Sequence, residues 1–315
     1  MKTLPFPFSL VQPLRSSSAL IRATAVDAAV LAGHLLLYPT GLVEEHPCEE
    51  LAVDEGVQEP DGGSAPQPPV LLLHGFIDNR SVFVLLRRSL RHSARRQVEG
   101  INYSPFTCDI PAAAALLGER VERACRRTGH DRVDLVGHSL GGLIARYYVQ
   151  RLGGDRRVRT LVTLGTPHGG TRMAPAFSPH PIVRQMRPGS AVIQELRQPA
   201  PGCRTRFVSF WSDADEAVSP AEMARIDHPD LLVRNVRVKG VGHLALPLHR
   251  ATAAGVCEAL GVSGTDGTEA VPDADRANTA GDTPGAKSAG ITGGAKSGKG
   301  ARRGGADASG AASVA

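Results

Sequence analysis

Residues 133–152 read VDLVGHSLGGLIARYYVQRL, and this stretch decides how the 315-residue chain is understood. Its first four residues are a short run with three apolar positions, as expected of a parallel strand covered on both faces. The run ends in Gly137-His138-Ser139-Leu140-Gly141-Gly142, and LIARYYVQRL then has helical character until Gly153-Gly154 stops it. A G-x-S-x-G turn between a strand and a helix holds its serine on a strained tip with the hydroxyl exposed. Gly137 and Gly141 must be small there so that backbone and helix can approach each other closely. The predicted elbow is therefore Gly137, His138, Ser139 and Gly141, with Ser139 as nucleophile.

The same alternation continues on both sides. Upstream, VLLL at 70–73 is a second buried strand ending at His74-Gly75. Asp78 and Asn79 can cap the helix that follows, which carries apolar residues at Val82, Leu85, Leu86 and Leu90 with arginines opposite. Residues 110–127 form another helix closed by Gly129. Downstream, strands are expected at 159–164, 206–211 and 231–238, the first leading into Gly165-Thr166-Pro167-His168-Gly169-Gly170. Strands separated by helices predict an α/β fold with a mostly parallel central sheet and helices on both faces. Such sheets place their chemistry at the carboxyl ends of the strands, where these motifs fall.

A serine hydroxyl is a weak nucleophile and needs a base, itself oriented by a carboxylate. In this architecture the chain order is serine, acid, histidine. The acids just past a strand end are Asp213, Asp215 and Glu216, in WSDADEAV; Asp215 is favoured and Asp213 stands as the alternative. His243, in KGVGHLALP after the last strand, is placed to reach Ser139, whereas His249 falls into the helix expected over 248–260. His138 neighbours the serine in sequence, which turns its side chain off the attack line. The oxyanion donors expected are the backbone N–H groups of Leu140, the residue after the nucleophile, and of Phe76, in the loop after the early strand. His74 holds that loop in shape.

Taken together, LLLHGF, VDLVGHSLGG, LGTPHGGT, SDADEAV and GVGHLAL resemble the bacterial triacylglycerol lipases and esterases of the α/β-hydrolase fold, over about residues 70–260. The resemblance implies a serine hydrolase that cleaves carboxylic esters of lipids through an acyl-enzyme. Ser139, Asp215 and His243 match the family triad, and Phe76 and Leu140 match its oxyanion donors. It implies no organic cofactor; some members hold a structural calcium, for which no ligand cluster stands out in this sequence. An acyltransferase or thioesterase would use the same residues, so that alternative stays open. Residues 171–203 read either as a short helical lid lining an acyl pocket or as an ordinary helical crossover.

The rest of the chain divides accordingly. Residues 70–261 form the catalytic domain; residues 1–69 hold an amphipathic helix, packed on the domain or lying on a membrane surface, and then an acidic, Pro-rich loop. Residues 262–315 contain 12 of the chain's 35 glycines, no aromatic residue and no leucine, so they lack the apolar surface to offset the entropy of ordering and read as a disordered tail. Six basic and six acidic residues balance within the tail, so the net charge of +5 belongs to residues 1–261. That imbalance is too mild for a nucleic-acid partner. The partners expected are a lipid or other ester substrate and peripheral contact with a membrane. Six arginines without an acid at 80–96 fit an anionic lipid surface, although such runs are more often the solvated side of a helix. Five cysteines without C-x-x-C spacing exclude a sequence-evident zinc site. The apolar run at 19–37 is interrupted by Arg22, Asp27 and His34 and lacks both the length of a membrane span and the form of a signal peptide, which favours a cytoplasmic or membrane-peripheral location.

Overall fold

The computed structural model describes residues 18–42, 67–76, 78–94, 96–103, 109–175 and 178–261. The expected loop at 44–69, as far as residue 66, and the expected tail at 262–315 lie outside them, as do Cys48 and Cys108.

Six strands build one sheet. In chain order the elements are α1 (Ser18–Leu42), β1 (Val70–Leu73), α2 (Val84–Ala94), β2 (Val98–Ile101), α3 (Ile110–Thr128), β3 (Val133–His138), α4 (Leu140–Arg151), β4 (Val158–Leu164), α5 (Pro181–Gln185), α6 (Ala191–Glu195), β5 (Arg206–Trp211), β6 (Leu232–Arg237) and α7 (Arg250–Ala259). The sheet order is β2-β1-β3-β4-β5-β6, and every pairing is parallel. The order reverses between β1 and β3, which opens a crevice at their carboxyl ends.

The two faces of the sheet carry separate apolar layers. Leu71, Leu73, Leu135 and Leu161 pack with residues of α3, α4, α5 and α6 on one face. Val70, Leu72, Val136, Val162 and Val208 pack with residues of α2 and α7 on the other. Alternate side chains along each strand point to opposite faces, so a fully buried β1 or β3 must be apolar at nearly every position. β6 closes one edge and is half exposed. β2 (VEGI), absent from the sequence expectations, closes the other; with glycine and glutamate in the middle of four residues it gives no apolar run to recognise.

Local sequence sets the helix ends. Asp109 caps α3 by accepting from the Ala112 N–H at 2.9 Å, and Gly129 ends it in the left-handed conformation that glycine adopts without strain. Before α2, Asn79 rather than Asp78 is the cap, accepting from the Ser81 N–H at 2.9 Å onto a turn of 3-10 helix at Arg80–Phe83. That tighter turn shifts the phase of the apolar stripe: Val82, Phe83, Leu86 and Leu90 are buried, and Leu85, expected inside, is exposed. The last helix also starts later than expected, at Arg250, with His249 as its cap position.

α1 departs from the amphipathic expectation. Ala23 and Val30 turn toward the domain, and so does the acidic Asp27, while Ile21, Val26 and Leu31 face outward. Polar and apolar residues are thus not separated onto two faces. No helix among the described residues is long and apolar enough to cross a membrane.

Candidate active site

β3 delivers Ser139 to the crevice on a strained backbone. Among the described residues Ser139 is the one non-glycine residue with positive φ, at φ 52° and ψ −120°. Such a conformation costs on the order of 1–3 kcal/mol and persists where the surroundings enforce it. Here the surroundings are backbone packed on backbone. A Cβ at Gly137 would stand 2.5–2.7 Å from main-chain atoms of Gly141 and Gly142, and one at Gly141 would run into the carbonyl groups of Leu73 and His74. α4 therefore starts directly against the end of β1. Leu140 is its first residue, so its N–H has no partner within the helix.

His243 comes to the same place from the loop between β6 and α7 and is buried. Its Nδ1 lies 2.8 Å from Oδ2 of Asp215, in the loop after β5. A carboxylate only accepts, so in the neutral ring the proton sits on Nδ1 and Nε2 keeps its lone pair. The other Asp215 oxygen accepts from the N–H groups of Ala217 and Val218, each at 3.0 Å, which fixes the carboxylate plane. Burial disfavours the imidazolium, but the charge and hydrogen bond of Asp215, with further help from Asp78 and Asp27, outweigh it, and the His243 pKa stands above its ordinary value.

Asp213, the alternative acid, is elsewhere. It faces outward, paired with Arg237 at 2.6 Å and accepting from the Gly240 N–H at 2.9 Å. It buttresses the histidine loop from outside and does not meet His243.

His138 ties the elbow to that loop. Its fully buried ring donates from Nε2 to the carbonyl oxygen of His243 at 3.1 Å, and its Nδ1 stands 3.3 Å from Oδ2 of Asp78. The residue preceding the nucleophile thus fixes the backbone of the histidine, consistent with a side chain turned off the attack line. Asp78, expected only as a helix cap, is buried against this pair; an acid following the His-Gly end of a buried strand was the available signal.

The loop after β1 is braced in turn. His74 Nδ1 is bonded to Gly75 O at 2.8 Å and its ring stacks on Tyr103 at 4.4 Å, while the Tyr103 hydroxyl donates to His74 O at 2.6 Å. Burial lowers the His74 pKa, leaving a neutral structural imidazole. Tyr103, just past β2, escaped the sequence reading together with its strand.

Phe76 and Ser139 line one cleft of about 320 Å³ with Met173, Val183, Met186 and Val218. Its outer wall belongs to the segment 171–203, of which residues 176 and 177 lie outside the described residues. Ile182, Val183, Val192, Ile193 and Leu196 of this segment are buried in the core shared with α3 and α4. The fully buried Arg146 of α4 supports it from below, donating to the carbonyls of His168 and Leu196. Burial, then Arg151 and Arg197, push the Arg146 pKa down to about 9. Among the described residues no group of three or more His, Cys, Asp or Glu side chains is arranged to hold a metal ion.

Comparison with known proteins gives the same architecture. Residues 68–195 match the family model of the α/β hydrolase fold, a segment that includes Phe76 and Ser139 and ends before Asp215 and His243. Among solved structures, the mature form of Bacillus licheniformis lipase BlEst2 superimposes with a TM-score of 0.54 at 16% identity, covering 64% of this chain and 94% of that one. Aspergillus fumigatus lipase B gives 0.53 at 16% identity, over 59% of this chain and 50% of that one. The propeptide form of the Bacillus lipase gives 0.52 at 15% identity, over 67% and 54%.

Proposed function

We propose that this chain, an α/β-hydrolase-fold protein, is a serine hydrolase that cleaves carboxylic esters of lipids through Ser139, His243 and Asp215 and an acyl-enzyme. The observation that carries the reading is a strained serine lining a cleft with apolar walls, beside a buried histidine–carboxylate pair whose ring lies 4.8 Å from that of His138, the residue before the serine.

His243 Nε2 accepts the proton of Ser139 Oγ as the oxygen attacks the ester carbonyl. The N–H groups of Phe76 and Leu140 receive the oxyanion of the tetrahedral intermediate; removal of one such donor typically costs roughly 100- to 1000-fold in kcat. Asp215 holds the ring in the productive tautomer and stabilises the imidazolium, which then protonates the departing alcohol. A water deprotonated by the same histidine releases the fatty acid and restores Ser139. The side chains of Met173, Val183 and Met186 favour an apolar acyl group over a charged one, because burying a charge against them costs its hydration.

The test compares the protein with Ser139→Ala on nitrophenyl esters of short and long acyl chains and on a triacylglycerol emulsion. The expected result is ester hydrolysis that falls about a million-fold in kcat, to background, in the variant. Equal activity of the two proteins would overturn the reading. Turnover of short chains alone would assign a carboxylesterase, and acyl transfer to an added alcohol or thiol without hydrolysis would assign a transferase.

A further inference from the structure

α1 lies outside the segment that matches the family model, yet it reaches the histidine loop. Oδ1 of Asp27 accepts a hydrogen bond from the backbone N–H of Ala245 at 3.0 Å, across 218 residues of sequence. The same carboxylate occupies the space that a side chain at Gly242 would need. Asp27 therefore touches the chain on both sides of His243, at the residue before it and two residues after it. It is half-buried, and it is an acid on a helix whose outward positions include Ile21, Val26 and Leu31. A carboxylate turned inward from such a helix loses water on desolvation and is retained where it makes a charge-assisted bond.

We propose that Asp27 is a positioning residue: by clamping the backbone from Gly242 to Ala245 it fixes the His243 imidazole toward Ser139, so that α1 belongs to the catalytic apparatus. The proposal rests on the serine-hydrolase reading of the site. Without the clamp, the loop keeps its bonds from Gly240 N–H to Asp213 and from Val241 N–H to Ser212 Oγ, and the His243 carbonyl keeps its bond from His138. All three hold the loop at or before His243; Asp27 alone among these contacts holds the stretch beyond it. A displacement of about 1 Å at a reacting group costs on the order of 100-fold in rate, so a partly loosened loop is expected to cost on the order of tenfold.

Asp27 also acts through its charge. The charged and titratable groups acting on His243 are Asp215 from the loop after β5, Asp78 from the loop after β1, Asp27 from α1, and the ring of His138, 4.8 Å away at the end of β3. The negative charge of Asp27 favours the imidazolium, so its removal lowers the pH at which the ring becomes a competent base.

The experiment follows the rate at which a fluorophosphonate probe labels Ser139, together with kcat and KM on a nitrophenyl ester, from pH 5 to 9, for the full-length protein, Asp27→Ala, Asp27→Asn and Ser139→Ala. Asp27→Ala is expected to lose about tenfold in labelling rate and kcat with KM nearly unchanged. Asp27→Asn keeps an acceptor for the Ala245 N–H without the charge. It is expected to recover most of the rate while its pH midpoint moves to lower pH. Rates and midpoint of Asp27→Ala equal to those of the parent would overturn the proposal. So would equal losses in both variants with an unmoved midpoint, the mark of a merely structural contact. Should Asp27→Ala fail to fold, Asp27→Leu, which keeps the volume and loses the acceptor, takes its place: labelling rate and kcat equal to the parent's overturn the clamp. Failure of the serine-hydrolase reading looks different, since the parent itself would then label no better than Ser139→Ala.

Discussion

The two ends of β3 do opposite work with the same few residues of strand. At its beginning, Asp134 is fully buried and bonded to two arginines, Arg96 at 2.7 Å and Arg159 through Nε at 3.0 Å. Both arginines also donate to the carbonyl oxygen of Leu260, which ties the end of the last helix to the base of the sheet. Both carboxylate oxygens of Asp134 are satisfied there. At its other end, Ser139 sits on a strained backbone where a helix opens, near the buried His243–Asp215 pair. One strand therefore has an end that holds the fold together and an end that costs the fold stability, with Asp134 and Ser139 five residues apart.

The difference can be broken from the functional end first. Asp215→Asn should lower kcat by about 10⁴-fold, because Oδ1 is committed to two N–H donors and the new amide must then present its own N–H to His243, forcing the wrong tautomer. Its pH profile carries the sign. The parent's His243 pKa is raised above its ordinary value, so hydrolysis should decline on acidification from above pH 6.5, and the acid limb should shift to lower pH in the variant. For stability the sense is reversed. The His243–Asp215 pair stabilises the fold below the unfolded histidine pKa, and that contribution is lost as pH rises through the raised folded value. A pH-rate profile beside a pH-stability curve checks both.

The structural end comes next. Asp134→Ala leaves the side chain of Arg96 buried without a counter-charge and should destabilise by about 3–5 kcal/mol. Denaturant midpoints measure that loss, and the labelling rate of Ser139 per folded molecule should remain that of the parent. A parallel fall in labelling rate would show that the two ends are coupled through the strand. Ser139→Gly should act in the opposite sense, abolishing hydrolysis while raising stability by about 1 kcal/mol as the positive φ is relieved, read in the same denaturation experiment. The smallest effect expected is that of Tyr103→Phe, which removes one hydrogen bond to the His74 carbonyl and should lower kcat by less than about tenfold, in line with a net bond strength of about 1 kcal/mol.

Much of the candidate site was legible because its residues sit at strand ends with local signatures. Gly137 and Gly141 flank Ser139 at a spacing that a tight strand-to-helix turn demands, and His243 follows the last strand directly after Gly240-Val241-Gly242. The choice between Asp213 and Asp215 was not legible. Both lie in one loop after β5, and which carboxylate faces inward depends on the two N–H donors that capture Oδ1 of Asp215 and on Arg237 capturing Asp213. Asp78, Tyr103 and Asp27 stayed invisible for a related reason. Each acts on a partner far away in sequence, and none belongs to a run whose periodicity reports its environment.

The sequence by itself determined the alternation of strands and helices, the strained turn at Ser139 and the chain order of serine, acid and histidine, because these follow from backbone sterics and the period of apolar residues. Only the tertiary structure decided which carboxylate meets His243, how residues 171–203 wall the cleft, and that α1 turns Asp27 onto the histidine loop. Those outcomes are contacts between segments whose meeting depends on how the two apolar faces of the sheet are covered, and that is a property of the whole packed chain.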